Sequence, residues 1–329
     1  MLADQGYETI QGVSCLTACM RNYLNVMKIP IDETHMMLNS VSELVYNKEL
    51  FFDQNYLEIN CGSGIDYLVK NCDISYVNEL YLDDNELEFI EECVENNQFL
   101  TLLVDAKSLT YSDIFQKSIG TKHAINVIGK KNNFFCISDG FIPSRNDELF
   151  QGYISEETII DAWKKAGKRY YLWDFSKYVP RQDDDKWKNE IKKHLELYLL
   201  GGKNGSKYYG KDAMECFFSD IAQKYEKDLS MYVACLKSIS YVIKVYGVYA
   251  VRKLLVQALG KYHIAEKNGR NAYIYDAAEK IKEEWDNMSL YAMYAMTNTK
   301  YEKYKMFMDK IQRLSDMEIE LFHEIIKII

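Results

Sequence analysis

Cys15 stands in Gln11-Gly12-Val13-Ser14-Cys15-Leu16-Thr17-Ala18-Cys19, and far downstream follow Thr121-Lys122-His123-Ala124-Ile125-Asn126-Val127 and then Ile137-Ser138-Asp139-Gly140. A thiol, an imidazole and a carboxylate in that chain order are the parts of a nucleophilic acyl-transfer site. The thiolate is the attacking species, and a helix amino terminus plus a nearby imidazolium lowers a cysteine pKa enough to supply it near neutral pH. His123 would then be the base, and Asp139 would fix its tautomer and stabilise the imidazolium. Gln11, four residues before the cysteine, would offer its side-chain amide to the oxyanion alongside the Cys15 backbone N–H.

The elements that must position these groups can be read from spacing. Leu16, Met20, Leu24 and Met27 predict a helix from about Ser14 to Val26 with Cys15 in its first turn. Cys19, one turn later, reads as a core thiol. His123 opens a strand whose Ile125 and Val127 share its face. His123–Ile128 and Phe134–Ile137 flank the polar Lys130-Lys131-Asn132-Asn133, a predicted β-hairpin whose register would set Asp139 nearly opposite His123. Taken singly, Cys15 fits a buried thiol, His123 a hydrogen-bonded core residue and Asp139 a turn residue before Gly140. What points to chemistry is their joint order in a chain with only five histidines.

The remaining sequence bounds the setting. At 329 residues and 48% hydrophobic content the chain is globular. Met1–Ile10 carries Asp4 and Glu8 with no apolar run, and no stretch approaches a bilayer span, so the expected compartment is the cytoplasm, with no membrane partner. Eight cysteines without a secretory signal are expected to be reduced. A zinc site on Cys15 and Cys19 lacks a matching second pair, so no metal is expected. Net charge of −9 argues against nucleic acid as a partner. Residues 1–179 hold 15 Lys and Arg against 27 Asp and Glu, whereas residues 180–329 hold 25 against 22.

Up to about Tyr178 helical signals (Asp32–Tyr46, Asp84–Asn96) mix with strand signals (Phe99–Val104 and the hairpin), an α+β pattern. Val179-Pro180-Arg181-Gln182-Asp183-Asp184-Asp185 is a charged break, and no proline follows it. Two domains are therefore expected, 1–179 catalytic and 180–329 an all-α helical bundle, with helices at Trp187–Leu200, Asp212–Lys227, Leu229–His263, Ala272–Asn298 and Tyr301–Ile329. Gly62-Ser63-Gly64 reads as a turn, and Tyr291, Tyr294, Tyr301 and Tyr304 as packing residues.

Residues 10 to 170 resemble the papain-like domain of the butirosin biosynthesis H protein family, within the C39-like cysteine peptidase folds. The resemblance is carried by the Cys15 helix, Leu102-Leu103-Val104-Asp105-Ala106-Lys107-Ser108-Leu109-Thr110-Tyr111, His123-Ala124-Ile125-Asn126-Val127-Ile128-Gly129 and Ser138-Asp139-Gly140. It implies a papain-like fold and an amide-forming acyltransferase of specialised-metabolite (antibiotic) biosynthesis. In that family the cysteine takes an acyl group from the phosphopantetheine thioester of an acyl carrier protein and passes it to a small-molecule amine. Cys15 would be nucleophile, His123 base and Asp139 the orienting carboxylate. No cofactor is implied beyond the phosphopantetheine on the acyl or peptidyl carrier protein. Val13-Ser14 stand where aminoglycoside-type members carry a histidine, which argues against an aminoglycoside acceptor. A cysteine peptidase or amidase would use the same residues, and a binding module would need no reactive thiol. The bundle would dock the carrier, form a homodimer or complete the core.

Overall fold

The computed structural model describes residues 1–48, 57–59, 65, 69, 72–116, 122–143, 148–178, 184–245 and 247–329. The expected Gly62-Ser63-Gly64 turn and residues 179–183 of the charged break lie outside them. In chain order the elements are α1 (Cys15–Val26), α2 (Glu33–Met37), β1 (Leu44–Asn47), β2 (Leu57–Ile59), β3 (Ser75–Leu80), α3 (Glu86–Glu95), β4 (Phe99–Asp105), α4 (Asp113–Gln116), β5 (Lys122–Lys131), β6 (Phe134–Asp139), β7 (Phe150–Ser155), α5 (Glu156–Lys165) and β8 (Arg169–Asp174). There follow α6 (Asp184–Leu200), β9 (Gly202–Asn204), β10 (Lys207–Tyr209), α7 (Gly210–Lys227), α8 (Leu229–Val245), α9 (Val248–Lys261), α10 (Ala272–Thr297) and α11 (Tyr301–Ile328). They form two compact units, residues 1–33 with 68–181 and residues 34–67 with 182–329.

The first unit is built on a six-stranded sheet of order β3-β8-β4-β5-β6-β7, antiparallel throughout. β5 is the pivot, since every residue from His123 to Gly129 is buried. Strand alternation sends Ile125 and Val127 to one face, where they join Leu102, Phe135, Ile137 and Trp163 in the core. It sends Asn126 to the other face, where its Nδ2 donates 2.8 Å to the Cys19 carbonyl and so ties α1 to the sheet. Asn126 also takes the Thr101 hydroxyl on Oδ1 at 2.6 Å and donates to Tyr7 Oη at 2.9 Å, so this wholly buried amide is fully used.

The hairpin turn is tighter than the sequence suggests. Only Asn132 and Asn133 turn, Asn132 at φ 52°, a left-handed position that asparagine tolerates. A bulge between Val127 and Gly129 then shifts the register, so that Asn126 pairs with Ser138. Extending that register sets Asp139 beside Ile125, one same-face step from His123. The two side chains are thus diagonal neighbours, not directly opposite, still within reach across one face.

In the second unit α6 to α11 supply most of the chain, with a core that includes Tyr198, Phe217, Ile239, Leu255, Trp285 and Phe322. A four-stranded sheet of order β2-β1-β10-β9 accompanies them. The predicted helix Asp32–Tyr46 gives way to one short helix, a 3₁₀ turn and then β1, because Leu44–Asn47 pairs as a strand, Leu44-Val45-Tyr46 with β2 and Val45-Tyr46-Asn47 with β10. That pairing places residues 34–67 in the helical unit, which the 1–179 and 180–329 division did not anticipate. The predicted Leu229–His263 helix is two helices broken at Gly247, whose φ of 142° is open only to glycine. Of the tyrosines read as packing residues, Tyr304 stacks on Tyr225 with centroids 4.0 Å apart, whereas Tyr294 and Tyr301 are exposed. Among the described residues no helix is long and apolar enough to cross a membrane.

Candidate active site

Cys15 is the first residue of α1, after an extended Ser14 (φ −147°, ψ 144°) whose own side chain makes no capping bond. The cap comes instead from Glu33, buried at 3% exposure. Its carboxylate accepts the Val13 N–H at 3.1 and 3.2 Å, the Ser14 N–H and the Thr17 hydroxyl at 2.5 Å. Burial pushes its pKa up, against the pull of Arg21, whose Nη1 lies 3.9 Å away. Arg21 in turn donates through Nη2 to the Gln11 carbonyl at 2.6 Å. The loop before Cys15 is therefore held by one buried acid and one guanidinium.

The same loop hugs the end of β6. Gly12 N–H donates to the Gly140 carbonyl at 2.7 Å. A Cβ on Gly12 would fall 2.4 Å from Ala18 Cβ, and one on Gly140 would fall 2.7 Å from the Ile10 carbonyl, so neither position admits a larger residue without moving α1. Glu33→Ala would remove the acceptor of three donors, the Val13 and Ser14 N–H groups and the Thr17 hydroxyl, and the counter-ion of Arg21, and breaking such a buried charge cluster costs about 3–5 kcal/mol. The expected result is a fall of that size in urea-derived unfolding free energy. Glu33→Gln, which keeps an acceptor oxygen, should lose clearly less.

His123 and Asp139 meet at the strand ends, 6% and 0% exposed. His123 Nε2 lies 2.8 Å from Asp139 Oδ2. That bond leaves Nδ1 as the ring nitrogen available to Cys15, with which His123 also hydrogen-bonds. Burial alone would raise the Cys15 pKa, but the bond to His123, its positive charge and the Ala124 backbone N–H together hold the thiol below its ordinary value. Burial alone would lower the His123 pKa, and the Asp139 charge and hydrogen bond, reinforced by Cys15, raise it to about 10. Thiolate and imidazolium thus stabilise each other, with a carboxylate behind. Cys19 has no such partners, and burial pushes its thiol well up. It is a core residue, as expected.

Gln11 is half-buried. Its Nε2 makes a weak 3.4 Å contact with the Gly12 carbonyl. Asp139 carries more than the sequence announces, since its Oδ2 also accepts the Tyr111 hydroxyl at 2.7 Å and its Oδ1 the Phe141 N–H at 3.0 Å. Beside the ring of His123 stands buried Phe115, centroids 4.7 Å apart. Glu33 and Tyr111 were not singled out from sequence. Glu33 reaches Val13 across 20 residues with no motif, and Tyr111 sat inside a recognised stretch without a spacing that linked it to Asp139. Among the described residues no group of three or more His, Cys, Asp or Glu side chains is arranged to hold a metal ion.

No known family profile matches the sequence, and no curated protein matches it. A search of solved structures returns one described as a candidate C39-like peptidase from Bacillus anthracis, at 14% identity and a TM-score of 0.36, covering 54% of this chain and 97% of that one. A TM-score that low does not by itself assign a shared fold.

Proposed function

We propose that this protein is a cysteine-dependent acyltransferase that forms an amide, taking its acyl group from a carrier-bound thioester. The observation that carries the reading is the thiol of Cys15, at a helix start, bonded to an imidazole that a buried carboxylate holds. Cys15 Sγ attacks the thioester carbonyl, and the departing thiolate takes the proton of the His123 imidazolium. Neutral His123 then accepts the proton of an amine that attacks the acyl-enzyme, and Cys15 leaves as thiolate. The proton count closes without a metal or nucleotide. Gln11 and the Cys15 N–H would receive the oxyanion, since first-turn N–H groups have no partner within the helix. Thioester exchange is near thermoneutral and aminolysis runs downhill.

The resemblance of residues 10–170 to the butirosin H family supports the carrier-bound donor. The excess of anions in residues 1–179 suits a cationic amine as acceptor, and the lysines and arginines of residues 180–329 suit an acidic carrier protein. The test is intact mass spectrometry with an acyl phosphopantetheine thioester. One acyl group is expected on Cys15, discharged to an amide when a diamine or polyamine is added. An adduct on another cysteine, or none, overturns the reading. Discharge to free acid at the same rate with or without amine replaces transfer by hydrolysis.

A further inference from the structure

Asp139 Oδ2 is shared by two donors. His123 Nε2 reaches it at 2.8 Å and the Tyr111 hydroxyl at 2.7 Å, while the Phe141 N–H occupies Oδ1 at 3.0 Å. From this geometry we infer that Tyr111 is a fourth, positioning member of the site, which fixes the Asp139 carboxylate and limits how strongly it binds the His123 imidazolium. The inference rests on the catalytic reading of Cys15 and His123 proposed above.

Tyr111 is itself held rigidly. Its ring lies flat on Phe150 of β7, with centroids 4.1 Å apart and planes 9° from parallel, and Phe115 meets its edge at 5.6 Å. Phe115 also packs on His123, so one aromatic cluster braces both donors to Asp139. A hydroxyl bonded to a carboxylate stays protonated, and burial with the Asp139 charge pushes the Tyr111 pKa well up. Tyr111 therefore remains a donor throughout the working range.

The consequence concerns proton affinity. A carboxylate oxygen with two donors divides its negative charge between them, so each receives less than it would alone. His123 must hold a proton to keep Cys15 ionised, yet must release it to the leaving thiol. Too strong a hold by Asp139 would favour the first and hinder the second. The titratable groups facing this cluster are Cys15, from the start of α1, and Cys19, one turn on, which adds to the Tyr111 shift. Cys19 stays a neutral thiol, so Cys15, His123 and Asp139 are the charges that Tyr111 influences.

Tyr111→Phe deletes one oxygen and keeps the stack on Phe150. The readouts are the pH dependence of Cys15 alkylation by iodoacetamide and the acyl-transfer rate. In Tyr111→Phe the alkaline transition of the alkylation profile should move upward by about half a pH unit, and kcat should fall roughly tenfold with KM unchanged. Phe150→Leu, which frees the tyrosine ring, should shift the same transition in the same direction by less. Wild-type alkylation that shows no depressed thiol pKa would defeat the catalytic reading itself. A normal wild-type ion pair with an unmoved transition in both variants, even if their melting temperatures drop, would defeat the role of Tyr111 alone.

Discussion

Cys15→Ala is expected to abolish acyl transfer, a loss of at least roughly 10⁴-fold, and to leave the fold intact. Among the described residues no other thiol is placed to substitute. Of the seven described cysteines, all free, the other six are buried, and none but Cys15 opens a helix beside an imidazole. Burial pushes the thiols of Cys93 and Cys235 up to about 12, and Cys136 and Cys216 also shift upward, so at neutral pH they are protonated and inert. The alanine removes one sulfur atom from a half-buried position, and the cap by Glu33 acts on Val13, Ser14 and Thr17 without touching it. Circular dichroism and the unfolding midpoint should therefore match the parent. Product formation near the parent rate, or an acyl adduct mapped to a second cysteine in the variant, would show that the nucleophile lies elsewhere.

The parts legible in the sequence were those set by local pattern. Apolar residues at three and four spacings put Cys15 at the start of α1, and strand alternation put His123 on the face of Ile125 and Val127. What the pattern could not give was anything fixed by a distant partner. Leu44-Val45-Tyr46 continues an apolar helical spacing and becomes a strand because Leu57–Ile59 pairs on one side of β1 and Lys207–Tyr209 on the other. One bulge at Val127 to Gly129, invisible in residue type except for the glycine, changed which residue faces His123. The α1 cap is likewise nonlocal: the serine before Cys15 looks like the capping residue, and a glutamate 18 positions after the cysteine does the work. Hydrogen bonds between side chains far apart in sequence carry no period, so Tyr111 and Glu33 emerge only once the chain is folded.

His123→Ala should cost more than any other change apart from loss of the thiol itself, roughly 10³-fold or beyond, because it removes both the counter-ion of the thiolate and the acid and base of the two half-reactions. The thiol should then titrate upward from its depressed value, since its bond to the imidazole and the imidazolium charge are the leading causes of that depression. Asp139→Asn should cost less, about 10²-fold, and in a telling way. The amide oxygen can still accept from His123 and Tyr111, but its NH₂ then confronts the Phe141 N–H that Oδ1 accepted. With the carboxylate charge gone, the first cause raising the His123 pKa is gone too, so the value falls from about 10 towards 6.5. The parent kcat/KM should be flat through neutral pH and decline as pH rises through about 10, whereas the Asp139→Asn decline should begin one or more pH units lower. Stability follows the same sign. A histidine whose folded pKa is raised stabilises fully below pH 6.5, and that contribution disappears as pH rises through about 10. Chemical unfolding of the parent should thus become easier towards pH 10, and in His123→Ala that slope should be much reduced. Identical slopes in parent and variant, or an Asp139→Asn rate profile with its alkaline limb unmoved, would show that the imidazole is not held charged by Asp139.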